Sequence, residues 1–324
     1  MRKGGCALLA AIPVALLLVG IWFASGWWGD ASVEEDTAFI VSDGATLTSV
    51  ARELEEEGLI GSASAFLLRA KVFGSSDPIK KGEFMLPAGI SNAGIVDTLQ
   101  HGDVVRRFVT IPEGLPSVMV HDRLMAEELL TGEVAVPEEG SVLPESYDFE
   151  RGESRAAVLA RMQQAMTDAL AQEWENRGSD IAVTSPREAV ILASVVEKET
   201  AQADERPMVA GVLSNRIRIG MMLGADATTI YPITKGRPLG RRIRVSELRD
   251  RNPYNTRAIA GLPAGPITNP GRDAIHAVLH PAETEALYYV ADGSGGHVFS
   301  RTLQEHNQRA AEWRALRRER GEMD

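Results

Sequence analysis

The stretch from Thr184 to Thr200, TSPREAVILASVVEKET, constrains the fold more than any other part of the chain. Ser185, Pro186 and Glu188 form a helix start: a capping hydroxyl, a proline in the first turn and a carboxylate three places after the cap. An almost unbroken apolar run from Ala189 to Val196 follows, and a helix apolar on every side has to be buried. A domain must therefore be built around it. The helix ends in Glu197-Lys198-Glu199. A carboxylate carried to the end of a buried helix is drawn out of water and faces the negative end of the helix dipole. Both effects raise its pKa and keep the proton a general acid needs. Spacing does not separate the two glutamates, since Val190 and Ala193 lie under Glu197 while Leu192 and Val195 lie under Glu199.

The chain has 324 residues and a formal charge of -11, which argues against nucleic acid as its main partner. Its one cysteine, Cys6, excludes an intrachain disulfide. Arg2 and Lys3 precede an apolar run from Cys6 to Trp28, roughly 35 Å of helix at 1.5 Å per residue, enough to cross a hydrocarbon core. Positive charge before the run, and Asp30, Glu34, Glu35 and Asp36 after it, place the N-terminus in the cytoplasm. Trp22, Phe23, Trp27 and Trp28 gather near the outer end, where aromatic rings favour the interface. A cleaved signal peptide is the competing reading, but the run is long and no good small-x-small site follows.

Beyond the anchor, three segments share a pattern: Val41 to Ile60, Leu86 to Val104 and Ile111 to Gly132. Each runs from an extended piece through glycine into an amphipathic helix, which suggests small strand–helix units around a modest sheet. Arg155 to Arg177 reads as an amphipathic helix stopped by Gly178, and Arg206 to Met221 as another. Gly224 to Gly271 is rich in turn formers, where a cleft would be lined. Ala286 to Ala291 and His297 to Ser300 flank Asp292-Gly293-Ser294-Gly295-Gly296, a hairpin signature, and Thr302 with Glu305 caps a final helix.

Several long motifs occur in one order: SVLPESYDF (Ser141 to Phe149), ILASVVEKET (Ile191 to Thr200), VLSNRIRIGMML (Val212 to Leu223), ADATTIYPI (Ala225 to Ile233), NPYNTRAIAGLPAGPITNPG (Asn252 to Gly271) and LYYVADGSGGHVFS (Leu287 to Ser300). In these the chain, from about Phe39 to Trp313, resembles the MltG/YceG-like endolytic murein transglycosylases. The resemblance implies an α+β protein: an N-terminal transmembrane helix (residues 1–29), a linker (30–37), a small LysM-like α/β domain (38–107) and a mixed α+β catalytic domain (108–320) with a helix-borne glutamate. Three positions depart from the family pattern: Ala227 stands for a proline, Arg257 for a second tyrosine and Ala264 for a second proline.

The implied activity is endolytic cleavage of the MurNAc-GlcNAc bond in nascent peptidoglycan strands. It leaves 1,6-anhydro ends and terminates elongation on the outer side of the cytoplasmic membrane, with peptidoglycan synthases as partners. Such a reaction needs a proton for the leaving oxygen, and the muramyl primary hydroxyl attacks in place of a second carboxylate. The resemblance assigns the acid/base role to Glu197. Glu145 beside Tyr147 is a further acidic group for the cleft. Asn215, Arg216, Asp226, Thr228 and Tyr231, then Tyr254, Asn255 and Thr256, offer the amides, hydroxyls and aromatic faces that suit sugar groups. His297 follows two glycines that let backbone approach closely. The basic segment from Lys235 to Arg251 is suited to lactyl and stem-peptide carboxylates. No metal site and no cofactor is expected from the spacing of cysteine and histidine or from any phosphate-binding loop. The competing readings are a lysozyme-type muramidase and a non-catalytic peptidoglycan-binding scaffold.

Overall fold

The computed structural model describes residues 5–29 and 31–321. Arg2, Lys3 and Asp30, which carried part of the orientation argument, lie outside them. The chain divides into two compact units, Met1–Arg107 and Phe108–Asp324, and is α+β throughout.

The first unit holds α1 (Gly5–Trp28), β1 (Thr37–Val41), α2 (Leu47–Glu56), α3 (Ala63–Phe73), β2 (Gly82–Leu86) and α4 (Asn92–His101). β1 and β2 pair antiparallel with Phe39 opposite Phe84. Alternation along β1 sends Phe39 and Val41 inward, onto Val50 and Leu54 of α2, Phe66 of α3 and Ile95 and Leu99 of α4. The turns into α2 and α4 each need a left-handed glycine, Gly44 at φ 74° and Gly89 at φ 72°. Thr46 and Ser91 then cap the helices.

Side chains of α1 are described from Ile12, and Ile12 to Trp28 is about 25 Å of helix. Among the described residues no helix is long and apolar enough to cross a membrane. The aromatic cluster expected at an interface is split. Trp22 and Trp28 are exposed, but Trp27 is 2% exposed and belongs to the core, its ring 6.0 Å from that of Phe66. The segment after α1 is bonded down as well. Ala31 N donates to Ile90 O, Ser32 N to Leu59 O, and Val33 is buried.

β3 (Arg106–Thr110) leads into the second unit, which continues with α5 (Ser117–Ala126), β4 (Ser146–Glu150), α6 (Arg155–Glu175), α7 (Pro186–Glu199), α8 (Arg206–Arg218), α9 (Asp226–Thr234), α10 (Val245–Arg249), α11 (Arg272–Leu279), β5 (Tyr288–Ala291), β6 (His297–Ser300) and α12 (Leu303–Glu319). The third repeat is β3 followed by α5, with Gly114 at φ 70° between them. β3 pairs with β4 and not with β1 or β2, so the repeats do not share one sheet. The turn-rich segment after Gly224 also contains helix, as α9 and α10.

α7 is the axis of the second unit. Ser185 Oγ accepts from Glu188 N, and the Glu188 carboxylate turns back to Thr184 N. Ala189, Leu192, Ala193, Val195 and Val196 are buried among Met166 of α6, Val209 and Leu213 of α8, and Ile275 and Val278 of α11. Full burial of each large aliphatic side chain contributes about 1.5–3 kcal/mol. The one polar residue in this run is satisfied: Ser194 Oγ donates to Ile191 O and accepts from Ile267 N. α8 ends at Arg218, short of the expected Met221, because Gly220 turns left-handed at φ 67°. A second cluster joins Ile111, Val120, Leu124, Phe149, Val158 and Met162. The buried Arg155 closes it by donating to the carbonyls of Leu124, Gly132 and Glu127.

Candidate active site

α7 delivers Glu197 and Glu199 to one end of the main core, but a two-residue step turns them about 200° apart around the helix. Their surroundings differ accordingly. Glu197 is fixed on both oxygens: Oε1 accepts from Arg206 Nη2 at 3.1 Å and Oε2 from Gly271 N at 2.9 Å. Its side chain is 5% exposed. Arg206 also donates to Glu113 Oε2 at 2.6 Å, so the guanidinium bridges two carboxylates. Burial raises the Glu197 pKa, while the Gly271 N–H and the Arg206 charge oppose the rise.

Glu199 has no such clamp. Its Oε2 accepts one hydrogen bond from the Tyr289 hydroxyl at 2.6 Å. Burial raises its pKa, the Tyr289 bond works against that, Asp226 adds to the rise, and Arg216 and His297 oppose it; the net shift is upward. The Tyr289 phenol is raised well above its ordinary value, first by burial and then by Glu199. Glu199 is thus a desolvated carboxyl group whose proton no direct ion pair displaces.

Three residues named from the sequence act on Glu199: Arg216, His297 and Asp226. Arg216 is tied back by Nε to Leu287 O and by Nη1 to Leu223 O, with its guanidinium over the Tyr288 and Tyr289 rings. His297 Nδ1 donates to Glu205 Oε2 at 2.7 Å, and its backbone N–H to Glu205 Oε1 at 2.6 Å. Its ring meets Tyr289 edge-on at 5.5 Å. The glycine before it gives the Glu205 carboxylate room, since a Cβ on Gly296 would sit 2.7 Å from Glu205 Oε1 and push that carboxylate aside. Asp226 is exposed at the start of α9 and pairs with Arg257. Where the family pattern has a tyrosine, this chain has a cation on that aspartate.

The other named residues fall away from Glu199 into structural roles. Asn215 donates to Thr284 O and Ala286 O. Asn255 is fully buried, and its amide satisfies the carbonyls of Glu247, Leu248 and Asp250 around α10. Thr228 and Thr256 bond each other at 2.8 Å. Tyr147 is buried, donating to Leu143 O at 2.7 Å, while Glu145 is exposed. The rings of Tyr231, which is buried, and Tyr254 lie tilted with centroids 5.0 Å apart and pack into the main core. A cavity of about 210 Å³ lies beside Lys198, Ala227 and Ile230. In the basic segment, Arg237 pairs with Asp122 and Arg241 with Glu247.

Tyr289, Glu205 and Arg206 were not singled out from the sequence. Tyr289 lies in the LYYVADG motif, whose alternation gave a strand but no reason to prefer one tyrosine. Against the expectation of no metal-ligating group, Glu173, His276 and His280 converge. The signal was His276 and His280 four residues apart on a helix.

The arrangement, a half-buried acid at the end of a core helix with a phenol, a histidine and a cation–aspartate pair around it, has the parts of a carboxyl-based acid/base site. The YceG-like family model matches residues 39–312, and the chain belongs to that family. It is 25% identical to the endolytic murein transglycosylase of Bacillus subtilis strain 168, over 90% of each chain. It is also 25% identical to that of Streptococcus pneumoniae strain D39, over 92% of this chain but 64% of the relative's length. A crystal structure of a YceG-like protein from Listeria monocytogenes aligns with a TM-score of 0.50 and 25% identity, covering 85% of this chain and 99% of its own.

Proposed function

We propose that this protein is a lytic transglycosylase that cleaves within peptidoglycan glycan strands at the MurNAc-GlcNAc bond, with Glu199 as acid and then base. The observation that carries the proposal is a desolvated carboxyl group held by one phenol hydrogen bond at the end of the core helix, in a chain of the YceG-like family. The proton on Glu199 passes to the glycosidic oxygen as that bond breaks and the GlcNAc hydroxyl leaves. The resulting carboxylate takes the proton of the muramyl primary hydroxyl as its oxygen bonds to the anomeric carbon, closing the 1,6-anhydro ring. Arg216 and His297 sit where their charge would support the carboxylate stage. Asp226, exposed and paired with Arg257, is proposed to meet the incoming sugar.

Glu197, the assignment made from the sequence, is the second reading, because its pKa is also raised by burial. Against it stand the Arg206 and Gly271 bonds, which favour the charged form and occupy both oxygens.

The finer expectations belong to the same proposal. The apolar N-terminal run anchors the chain in the cytoplasmic membrane, with both units outside. The first unit serves as a LysM-like module, and peptidoglycan synthases are the partners, so that cleavage ends elongation of nascent strands. The test is digestion of purified glycan strands by the full chain, with mass analysis of the new ends. Anhydromuramyl ends are expected. Reducing ends would make the protein a muramidase, and intact strands would make it a binding scaffold.

A further inference from the structure

We propose that Glu173, His276 and His280 form a binding site for a borderline divalent transition metal of the zinc class, separate from the α7 glutamates. His276, on α11, and its C-cap His280 are four residues apart and therefore share a face. Their rings stack with centroids 4.4 Å apart. Glu173, in the last turns of α6, has a side chain 10% exposed and points at them, with Oε2 2.8 Å from His276 Nδ1. One donor atom from each of the three lies within 4.8 Å of the others. Zinc holds nitrogen and oxygen ligands at about 2.0–2.2 Å, so tetrahedral neighbours stand roughly 3.3–3.5 Å apart. The His276–Glu173 pair, at 2.8 Å, is already inside that spacing.

The donor set is chemically suited to such an ion. Two imidazoles and one carboxylate, with water in the fourth position, favour zinc and its neighbours over calcium or magnesium, which prefer oxygen ligands. Glu173 is already oriented for the task. Arg272 Nε holds its Oε1 at 2.8 Å, which leaves Oε2 for the metal and supplies the outer bond that aligns a ligating carboxylate. Access is open, because His280 also lines a cavity of about 750 Å³ whose wall carries Asp180, Glu283 and Glu285. Asp180 is bonded to Arg218. Glu285 is paired with Arg301, so Glu283 is the acid at the mouth that carries the attraction for a cation.

The test uses the full chain, purified in detergent and stripped with chelator, titrated with zinc chloride by calorimetry and with cobalt(II) chloride by visible absorption. One saturable equivalent, a tetrahedral cobalt spectrum and a zinc-dependent rise in Tm are expected. His276→Ala and His280→Ala each weaken binding at least about tenfold, and His121→Ala, elsewhere in the second unit, leaves it unchanged. Glu173→Gln, close in shape and uncharged, keeps the fold and also weakens binding. Absence of saturable binding at micromolar zinc, or unaltered affinity in the double histidine variant, would overturn the proposal.

Discussion

The contrast between the two glutamates of α7 yields a prediction in which stability and activity move in opposite directions. Replacing Glu197 by glutamine keeps an acceptor for Gly271 N but removes the charge facing Arg206, whose guanidinium is 8% exposed. A hydrogen bond to a charged partner contributes about 1.5–3 kcal/mol. In a cooperative unit of this size each kcal/mol shifts Tm by about 2–4 °C. E197Q is therefore expected to melt roughly 3–12 °C below the parent. Glu199 has no ion-pair partner at hydrogen-bond distance, and its burial disfavours the charged form, so E199Q is expected to melt at or slightly above the parent temperature. Its rate should fall about 10²- to 10⁴-fold, the usual loss on removing a general acid. That corresponds to about 2.7–5.4 kcal/mol at 1.36 per decade. Calorimetry on the full chain gives the first quantity, and release of anhydromuropeptides from purified sacculi gives the second. If E199Q digests at the parent rate while E197Q is inactive and melts normally, the assignment reverts to Glu197 and the argument from Arg206 fails.

Tyr289→Phe removes the one direct donor to Glu199 among the described residues, so its pKa should rise further and the alkaline limb of the pH–rate profile should move to higher pH; an unmoved limb would disconnect the phenol from the reaction. Because the folded-state pKa of Glu199 lies above its ordinary 4.5, its contribution is full below that value and declines as pH rises through the folded pKa. Chemical denaturation across that window should give a shallower fall in stability for E199Q than for the parent. Leu192→Ala, in the centre of α7 and fully buried, should cost about 2–5 kcal/mol by denaturant titration. Gly296→Ala drives a methyl group against Glu205 and should reduce the rate on glycan strands through displacement of His297, with the helical circular dichroism unchanged.

The elements that report themselves through local chemistry were legible in the sequence. Ser185 and Pro186 gave the start of α7, the Asp292–Gly296 turn gave the β5–β6 hairpin, and Thr302 with Glu305 gave the start of α12. The choice between Glu197 and Glu199 was not, because at the end of a helix wrapped in core the residues one and two turns beneath each glutamate are equally apolar. Only the partners arriving from Arg206, Gly271 and Tyr289, distant in sequence, distinguish the two. The bonds that the polar residues of the turn-rich segment make within the fold were hidden for a related reason. Asn255 has the donors a sugar would use, but a loop folded on itself leaves backbone carbonyls, here those of Glu247, Leu248 and Asp250, that need the same donors. Trp27 looked like its neighbours in an aromatic cluster, and its place in a core depended on Phe66, which lies in α3.

The burial of Trp27 has a mechanical consequence. A rod whose last turn is sunk in a folded body, with Gly26 O and Phe23 O bonded to Asn92 and Arg69, acts as a stalk and not as a leash. If its other end stands in a lipid bilayer, the first unit can neither swing nor drift away from the stalk. It must lean and spin with it, at a fixed height above the headgroups.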